Sequence, residues 1–479
     1  MTSTPRYTSP LGTRYSSATM QELWSAQHRA GLWRRLWLVL AETERDLGLA
    51  IPDAALAEMR AHLEDADLDA VRVHEARLRH DVMAHIHHFG DQAPAARPFL
   101  HLGATSCFVT DNADLIVLRE TCGLLLGRLR EVLRALGAFA GTHATVPTLA
   151  YTHYQPAQLT TVGKRATLWA YDFVLDAEAL LGVMERLPFR GCKGTTGTQA
   201  SFLDLFGEDE EKVRALDRRV AEAFGFDRAV PVSGQTYSRK LDAQMLDVWA
   251  GVGQSSSKFG NDLRLLQHEG EVLEPAEASQ VGSSAMPYKR NPMRAERMCG
   301  LARYLIALRE NTAYTAATQW LERTLDDSAN RRLTLPDAAM AADALLILAA
   351  DLARGLEVRA PVVERHVREA MPAMATERWL MLAVTGGGDR QTVHEVIRTH
   401  AWAARDAEDR GEAGDLLGRL AADPAFAGVD VATLQDELEP ARYVGRAPSQ
   451  VREFLSTHLD PVLERLEPYA VHDAAGVTV

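Results

Sequence analysis

The stretch LIVLRETCGLLLGRLREVLRALGAF, residues 115–139, carries the clearest sign of the fold. Its apolar residues recur in alternating steps of three and four positions, which is the spacing of one face of a long α-helix. These residues are Leu115, Leu118, Cys122, Leu125, Leu129, Val132, Leu136 and Phe139. A helix with so continuous an apolar face must pack against other long helices. The stretch therefore predicts a bundle of long helices.

Two later segments have the pattern expected of its partners. The first begins near residue 161, and its apolar residues are Leu168, Leu175, Leu180 and Leu187. The second extends from residue 241 to residue 273, and its apolar face includes a polar residue at every seventh position: Ser255, Asp262 and Glu269. Because polar groups inside a bundle need partners, we expect the second segment to meet helices of other chains.

The rest of the chain indicates an all-α fold with three domains. Nearly every periodic segment has helical spacing, and no run shows a convincing alternation of strand residues. Long-helix patterning begins near Thr105 and ends near Glu357. We therefore place an N-terminal helical domain at residues 1–105, a central long-helix domain at residues 106–357 and a C-terminal helical domain at residues 358–479.

Composition excludes several kinds of function. A net charge of −13 over 479 residues argues against broad nucleic-acid binding, which requires a basic face. The four scattered cysteines fit neither a zinc site nor a disulfide framework. No apolar run approaches the ~18 residues of a membrane span, and the first residues lack a signal-peptide pattern. The chain is therefore expected to be a cytoplasmic protein that binds neither nucleic acid nor membrane.

The segment GSSAMPYKRNP, residues 282–292, is the most specific motif of the chain. Two serines follow Gly282, and Asn291-Pro292 predicts the start of a helix. Four basic residues lie near this start: Lys289, Arg290, Arg294 and Arg297. Since a helix N-terminus attracts negative charge, the segment predicts an anion site there. The alternative is a polar surface loop whose arginines pair with nearby acids.

Five further blocks accompany this segment. They are RHDVMAH at residues 79–85, HLGATS at 101–106, YTHYQPAQ at 151–158, KGTTGTQAS at 193–201 and LDDSANRR at 325–332. Together the blocks resemble the adenylosuccinate lyase family of the fumarase/aspartase superfamily, in its animal-type branch. The resemblance extends from about Arg14 into the C-terminal helices, with a departure at Ala295, where animal-type members tend to carry serine. It implies a homotetramer around a central helical bundle, in which three subunits contribute to each active site.

The resemblance implies a β-elimination that releases fumarate from succinyl-purine nucleotides. The expected products are AMP from adenylosuccinate and AICAR from SAICAR, the succinylaminoimidazole carboxamide ribotide of purine biosynthesis. Such a reaction needs a base for a proton beside a carboxylate, a group that stabilises the aci-carboxylate, and an acid for the leaving nitrogen. It needs no cofactor.

By resemblance, Ser283 is the general base, and Lys289 and Asn291 hold the carboxylate that accumulates charge. A serine hydroxyl is too weak an acid to ionise at neutral pH without electrostatic help, which Lys289 can supply. The alternative is a solvated serine beside the identical Ser284. Only the resemblance favours Ser283 over its neighbour.

His153 is the candidate acid, since imidazole transfers protons well near neutral pH. A lone histidine is more often structural, but residues 151–158 match the acid-bearing motif of the family. His80 is a second catalytic candidate, on a helix predicted from Leu78 to Phe89. Three other histidines lie close by in the sequence: His85, His87 and His88. They lack the third-ligand pattern of a metal site, so we interpret them as surface or packing residues and expect no metal.

Substrate contacts follow from charge and from the resemblance together. Thr105 and Ser106 offer hydroxyls to a succinyl carboxylate, unless they only cap the long helix. The resemblance adds further contacts: Arg14, Tyr15, Arg79, His80, Asp81, Gln235, Arg297, Arg323, Ser328 and Arg332. A basic cluster that fits a small polyanion is formed by Arg323, Arg331 and Arg332. The alternative for Arg323 and Arg332 is pairing with neighbouring acids, namely Glu322, Asp326 or Asp327.

Other interpretations of the sequence are weaker. The glycine-rich run at residues 191–197 lacks the G-x-x-x-x-G-K-[ST] order of a P-loop, so ATP binding is not expected. The sequence Tyr-Lys-Arg at residues 288–290 disfavours a sister lyase that acts on argininosuccinate or a simple dicarboxylate. A helical scaffold without activity is disfavoured because Ser283, His153 and Lys289 are intact.

Overall fold

Helices dominate the computed structural model of the chain, which describes residues 7–277 and 284–471. The α-helices are α1 Ala18–Leu23, α2 Ala26–Asp46, α3 Asp53–Ala61, α4 Leu68–Leu78, α5 Asp81–Gln92, α6 Ser106–Thr142, α7 Val162–Arg186, α8 Ala200–Leu205, α9 Glu210–Ala223, α10 Lys240–His268, α11 Met293–Ala317, α12 Asp326–Gly355, α13 Ala360–Thr385, α14 Arg390–Asp409, α15 Leu416–Ala421, α16 Val431–Asp436, α17 Ala447–Phe454 and α18 Asp460–Leu466. The strands are β1 Pro147–Thr152, β2 Gln155–Thr161, β3 Val272–Leu273 and β4 Glu357–Val358. Short 3₁₀ or π turns lie at Leu11–Tyr15, Arg97–Phe99, Pro424–Phe426, Pro440–Arg442, Leu455–Leu459 and Glu467–Tyr469.

The long helix predicted from residues 115–139 is α6, which is 37 residues long. Its apolar face is buried, and Leu115, Leu125 and Leu136 are inaccessible to solvent. α6 packs lengthwise against α7 and α12, while α10 packs against α7, α11 and α12. The prediction of a predominantly all-α fold with long central helices is confirmed.

The polar residues on the buried face of α10 have partners within the same chain. Asp262 Oδ2 accepts a hydrogen bond from Trp169 Nε1 at 2.8 Å, and Glu269 Oε1 accepts one from the Tyr154 hydroxyl at 3.0 Å. Burial raises the pKa of Asp176 on α7 to about 7, and the Ser255 hydroxyl opposes this change. Partners within the chain therefore account for much of the polarity of this face, and the expectation that the segment meets helices of other chains stays a prediction.

α12 is apolar enough and long enough to span a membrane by composition alone, unlike any other helix in the part of the chain that the structure describes. A buried core helix passes the same test of length and composition, so α12 does not contradict the expectation from the sequence. Its most apolar window is 78% buried inside the protein. Ala338, Ala342 and Leu345, for example, are inaccessible to solvent. Burial in the helical core accounts for the composition of α12.

A two-stranded hairpin, β1–β2, lies between α6 and α7. The strands are antiparallel with Thr152 opposite Gln155, so His153 and Tyr154 form a two-residue turn. Both turn residues have positive φ angles, 54° and 57°, as a type I′ turn requires. The hairpin was not predicted from the sequence, because neither strand alternates buried and exposed residues along its length.

One continuous apolar core joins the N-terminal helices, the long central helices and the final helices of the described chain. Val451 of α17 and Leu466 of α18 belong to this core. A second, smaller core joins α13 to α16 and includes Trp379 and Leu434. The domain boundaries proposed near residues 105 and 357 stay predictions. The packing adds that α17 and α18 rest on α6 and α7, away from the second core.

Candidate active site

A cavity of about 610 Å³ lies beside the first turns of α5, α6 and α12. It is lined by nine of the substrate-binding residues that the sequence predicted: Arg79, His80, Asp81, Thr105, Ser106, Gln235, Arg323, Ser328 and Arg332. These residues come from four regions of the sequence that are far apart. The fold therefore brings a large part of the predicted site together in one chain.

The junction between α4 and α5 supplies three of these residues to the cavity. Arg79 ends α4 in the left-handed region with a φ of 55°, and His80 is the N-cap residue of α5. His80 Nδ1 accepts a hydrogen bond from the Met83 N–H at 3.3 Å, and its Nε2 lies 3.4 Å from Ser106 Oγ. The single helix predicted over residues 78–89 is therefore wrong, because the chain breaks at Arg79-His80. Strained backbone at such a break is typical of a functional site.

Ion pairs orient two arginines of the cavity. Arg332 Nη2 lies 2.8 Å from Asp81 Oδ2, and Arg323 Nη1 lies 3.0 Å from Asp327 Oδ2. The ion pair between Arg323 and Asp327 is one that the sequence offered as an alternative to ligand binding. Since a guanidinium has five N–H donors, one ion pair still leaves donors for a ligand. The two roles are therefore compatible.

Thr105 is the N-cap residue of α6, but its hydroxyl makes no capping hydrogen bond with the described residues. The alternative that Thr105 only caps the helix therefore finds no support. Gln235 is held through its backbone, because its N–H donates to Glu322 O at 2.9 Å and its carbonyl accepts from Arg190 Nη2 at 2.7 Å. Arg190 also donates to the carbonyl of Gly194 at 3.0 Å, which ties the glycine-rich run to the cavity wall.

A buried ionic network, which the sequence analysis missed, forms part of the cavity wall. Arg239 donates two hydrogen bonds to Asp111, each 3.1 Å long, and one to Asp327 at 2.7 Å. Burial alone raises the pKa of Asp111, but the nearby Arg239 and Arg331 outweigh it, so this pKa lies below its ordinary value. Arg331 pairs with Asp242 at 2.7 Å and is only 7% exposed. Its predicted place in an anion-binding cluster is therefore not supported.

The other predicted residues that the structure describes lie outside this cavity. They are Arg14, Tyr15, His153, Lys289, Asn291 and Arg297. His153 is exposed at the turn of the β1–β2 hairpin, and Lys289 is exposed in the loop before α11. Ser283 lies outside the described residues. A single chain therefore does not bring the predicted acid to the predicted substrate contacts.

The start of α11 differs from the predicted anion site. Glu274 is buried, and its carboxylate accepts hydrogen bonds from the N–H groups of Arg294 and Ala295 at 3.2 and 3.0 Å. Pro292 rather than Asn291 occupies the N-cap position. Burial raises the pKa of Glu274 above its ordinary value, although these N–H groups oppose the change. The N–H groups expected to bind an anion are therefore already used by a carboxylate of the same chain.

Two of the four basic residues near α11 have carboxylate partners. Arg294 pairs with Asp351 at 2.6 Å, and Arg290 pairs with a glutamate of β4 at 3.3 Å. Lys289 and Arg297 form no ion pair with the described residues, and Arg297 Nη1 is buried without a hydrogen-bond partner among them. The surface-loop alternative therefore holds for Arg290 and Arg294. The ligand contacts predicted for Lys289 and Arg297 stay predictions.

No group of three or more metal-ligating side chains occurs in residues 7–277 and 284–471. Burial lowers the pKa of His85 to about 4, so this ring is neutral, and it packs edge-on against Trp33 with ring centroids 4.8 Å apart. His87 stacks on His74, and His88 Nε2 accepts a backbone hydrogen bond. His85, His87 and His88 are therefore packing residues, as the sequence indicated.

Comparison with solved structures agrees with this fold. The chain resembles 3-carboxy-cis,cis-muconate lactonizing enzyme from Pseudomonas putida with a TM-score of 0.80 and 24% identity, over 96% of this chain and 99% of the other. It resembles a fumarate lyase from Mesorhizobium sp. BNC1 with a TM-score of 0.78 and 22% identity, over 96% and 100% of the two chains. At such identities the likeness establishes the fold alone.

Sequence comparison is more specific. A family model described as lyase matches residues 41–306, and one described as adenylosuccinate lyase C-terminus matches residues 372–454. The fold and these matches define a helical lyase of the fumarase/aspartase superfamily. The chain is 47% identical to adenylosuccinate lyase of Saccharomyces cerevisiae over 97% of both chains, and 46% identical to that of Schizosaccharomyces pombe over 99% of both. It belongs to the adenylosuccinate lyase family, as the sequence motifs predicted.

Proposed function

We propose that this chain cleaves adenylosuccinate to AMP and fumarate, and SAICAR to AICAR and fumarate. Family membership makes it a lyase of purine biosynthesis. The observation that carries the choice of substrate is the cavity lined by nine predicted contact residues. Its guanidinium, imidazole and hydroxyl groups suit a substrate that has one phosphate and two carboxylates.

The proposed reaction begins when Ser283 removes a proton from the carbon beside a carboxylate of the succinyl group. Lys289 and Asn291 stabilise the aci-carboxylate that results. The electrons of the broken C–H bond then form the double bond of fumarate, and those of the C–N bond leave with the nitrogen. His153 delivers a proton to that nitrogen. Electrons balance within the substrate, so the reaction needs no redox cofactor.

We infer that the active enzyme is a homotetramer whose sites are shared between subunits. His153 and Lys289 are exposed and lie outside the cavity of their own chain. One face of α7 exposes three large apolar side chains, Leu168, Tyr171 and Leu175. Such a face on a long helix favours association with helices of other subunits. The four cysteines are free thiols, which favours the proposed cytoplasmic location.

Fumarate release tests the proposed function. The purified protein is incubated, without added metal or cofactor, with adenylosuccinate and separately with argininosuccinate. We expect AMP and fumarate from adenylosuccinate and no product from argininosuccinate. Fumarate from argininosuccinate alone would assign the chain to the sister lyase. No product from either substrate would contradict the proposal.

A further inference from the structure

Glu271 lies between α10 and β3 and belongs to none of the sequence motifs. Its side chain is inaccessible to solvent, and a buried carboxylate needs charged or hydrogen-bonding partners. His366 Nδ1 lies 2.9 Å from its Oε1 atom. Arg165 Nη1 lies 3.8 Å from its Oε2 atom, and the Thr148 hydroxyl donates to the same oxygen at 3.4 Å. These partners belong to α13, α7 and β1, so Glu271 connects three elements around the β1–β2 hairpin.

The network reaches β1 where the hairpin is irregular. Besides its ion pair with Glu271, Arg165 donates through Nη2 to the Leu149 carbonyl. The register of the two strands shifts between Leu149 and Tyr151. Such a bulge bends the strand and increases its twist, so it changes the direction of the residues beyond it. The contacts of Glu271 and Arg165 with β1 therefore hold the hairpin at the point that sets the direction of its tip.

Helix α13 supports the hairpin as well. Val363 and Val367 of α13 form one apolar cluster with Leu149 and Leu159 of the hairpin. Residues three or four positions apart share a helix face, so His366 lies beside this cluster. Its hydrogen bond with Glu271 therefore helps to fix α13 against the hairpin.

The tip of the hairpin carries His153, and the hydroxyl of its neighbour Tyr154 donates to Glu269. Glu269 and Glu271 are two positions apart, so one short segment at the end of α10 holds the hairpin at both its tip and its base. We propose that Glu271 is a positioning residue for the reaction. Its contacts with β1, α7 and α13 fix the hairpin in the orientation in which His153 reaches the leaving nitrogen. The role of Glu271 rests on the proposed function, in which His153 is the acid.

Steady-state fumarate release from adenylosuccinate by the full-length protein tests the role of Glu271. E271Q keeps the shape of the side chain but removes its charge. We expect kcat to fall about 10- to 100-fold, because a displacement of about 1 Å in an active site costs a factor of this size. KM should change less than about twofold, since Glu271 lies outside the cavity that the predicted substrate contacts line. E271D keeps the charge and should recover part of the lost kcat.

Double variants separate positioning from a general structural role. H153A/E271Q is expected to turn over as slowly as H153A and no slower, because the group that Glu271 positions is absent. H366F removes the α13 side of the network, so it should lower kcat in the wild type but not in H153A. It gives the same test if E271Q does not fold. The matched control is H400F, which breaks a similar pair, His400 and Asp423 at 2.8 Å, between other elements and should keep the wild-type kcat.

The possible outcomes distinguish the two proposals. A wild-type protein that releases no fumarate from adenylosuccinate would contradict the proposed function, and the role of Glu271 with it. If H153A is impaired while E271Q and H366F keep the wild-type kcat, only the role of Glu271 is overturned. A rise in KM at unchanged kcat would overturn it too. An equal fractional loss of kcat in the wild-type and H153A backgrounds would make Glu271 a structural residue and also overturn it.

Discussion

At the scale of single residues, the turn of the β1–β2 hairpin stores backbone strain. His153 and Tyr154 have φ angles of 54° and 57°, a region that costs residues other than glycine about 1–2 kcal/mol each. The Tyr154 hydroxyl donates to Glu269 Oε1 at 3.0 Å and helps to hold the turn. Strain persists where the surrounding structure fixes it, and it is common at functional sites. The turn therefore presents His153 at an exposed and defined position.

Replacing His153 by Ala is expected to lower kcat by about 10²- to 10⁴-fold, because the proposed acid for the leaving nitrogen is lost. Stability should change little, since the side chain is exposed. Fumarate release measures the first effect and thermal unfolding the second. H394A, which changes an exposed histidine on α14, is the control and should keep full activity. Unchanged turnover in H153A would exclude His153 as the acid.

Glu44 of α2 is a fully buried carboxyl whose two oxygens have no hydrogen-bond partner in the described chain. Burial raises its pKa to about 9, so the folded state keeps a proton that the unfolded state loses above a pKa of 4.5. The unfolded state is therefore increasingly favoured as the pH rises between these two values. The loss of stability is at most about 1.4 kcal/mol per pH unit.

The variant E44Q stays neutral at every pH, so it should gain stability relative to the wild type as the pH rises. Denaturant unfolding at about pH 6 and about pH 8.5 measures this difference. E42Q, on the same helix and partly exposed, is the matched control and should follow the wild type at both values. A difference between E44Q and the wild type that does not grow with pH would contradict the prediction.

Sequence motifs predicted many residues that line the cavity. They did not predict the buried ionic network that forms part of its wall. The block RHDVMAH led to Arg79, His80 and Asp81, and all three line the cavity. Arg239 and Asp111 were missed because their pairing joins residues 128 positions apart, which no local spacing reveals. The catalytic roles of His153 and the other proposed groups stay predictions, because roles depend on the bound substrate.

At the scale of elements, a buried carboxylate organises the start of α11. Glu274 follows β3 and accepts hydrogen bonds from the first N–H groups of the helix. Its own N–H donates to Gln267 Oε1 of α10 at 3.0 Å, and Gln267 Nε2 donates to the Arg290 carbonyl at 3.1 Å. Apolar periodicity predicted α10, and Asn291-Pro292 predicted the start of α11. Neither pattern could predict this cap, because Glu274 lies 20 positions before Arg294 in the sequence.

Two glycines of α6, one turn apart, differ in their surroundings. A Cβ on Gly127 would overlap the carbonyl oxygen of Tyr469, whereas a Cβ on Gly123 would lie 3.7 Å from Tyr469 Cδ1. G127A is expected to destabilise the protein by about 1–3 kcal/mol, because the C-terminal segment must move. G123A should stabilise it by about 0.5–1 kcal/mol, because alanine favours a helix. Thermal unfolding of both variants measures these changes in stability. Equal stability of the two variants would contradict the close packing of Tyr469 against Gly127.

At the scale of the whole molecule, one chain divides the predicted machinery between separate places. Nine predicted substrate contacts line its cavity, while His153 and Lys289 are exposed elsewhere. The family resemblance predicted the membership of both sets. It could not show which residues share a cavity within one chain, since that depends on how distant segments pack.

Mixing two inactive variants should restore activity if subunits share their sites. R79Q lacks a cavity contact and H153A lacks the proposed acid. In mixed oligomers, some sites combine the intact Arg79 of one subunit with the intact His153 of another. We therefore expect the mixture, after subunit exchange, to release more fumarate than the two variants do separately.

A matched control uses two variants of the same cavity, R79Q and H80Q. Because both residues line the cavity of one chain, every mixed site keeps a defect and no activity should return. If the mixture of R79Q and H153A also gains nothing, each site belongs to a single subunit.

The contact between Gly127 and Tyr469 bears on how the chain folds as it is synthesised. Gly127 leaves the ribosome long before Tyr469, and α6 begins to pack with its neighbours in that interval. Leu459, between α17 and α18, packs as closely against α6 at Gly137 as Tyr469 does at Gly127. The segment that includes α17 and α18 therefore covers one side of α6. In a nascent chain stalled before residue 447, this side of α6 is therefore uncovered, and exposed apolar surface of that kind favours chaperone binding and aggregation.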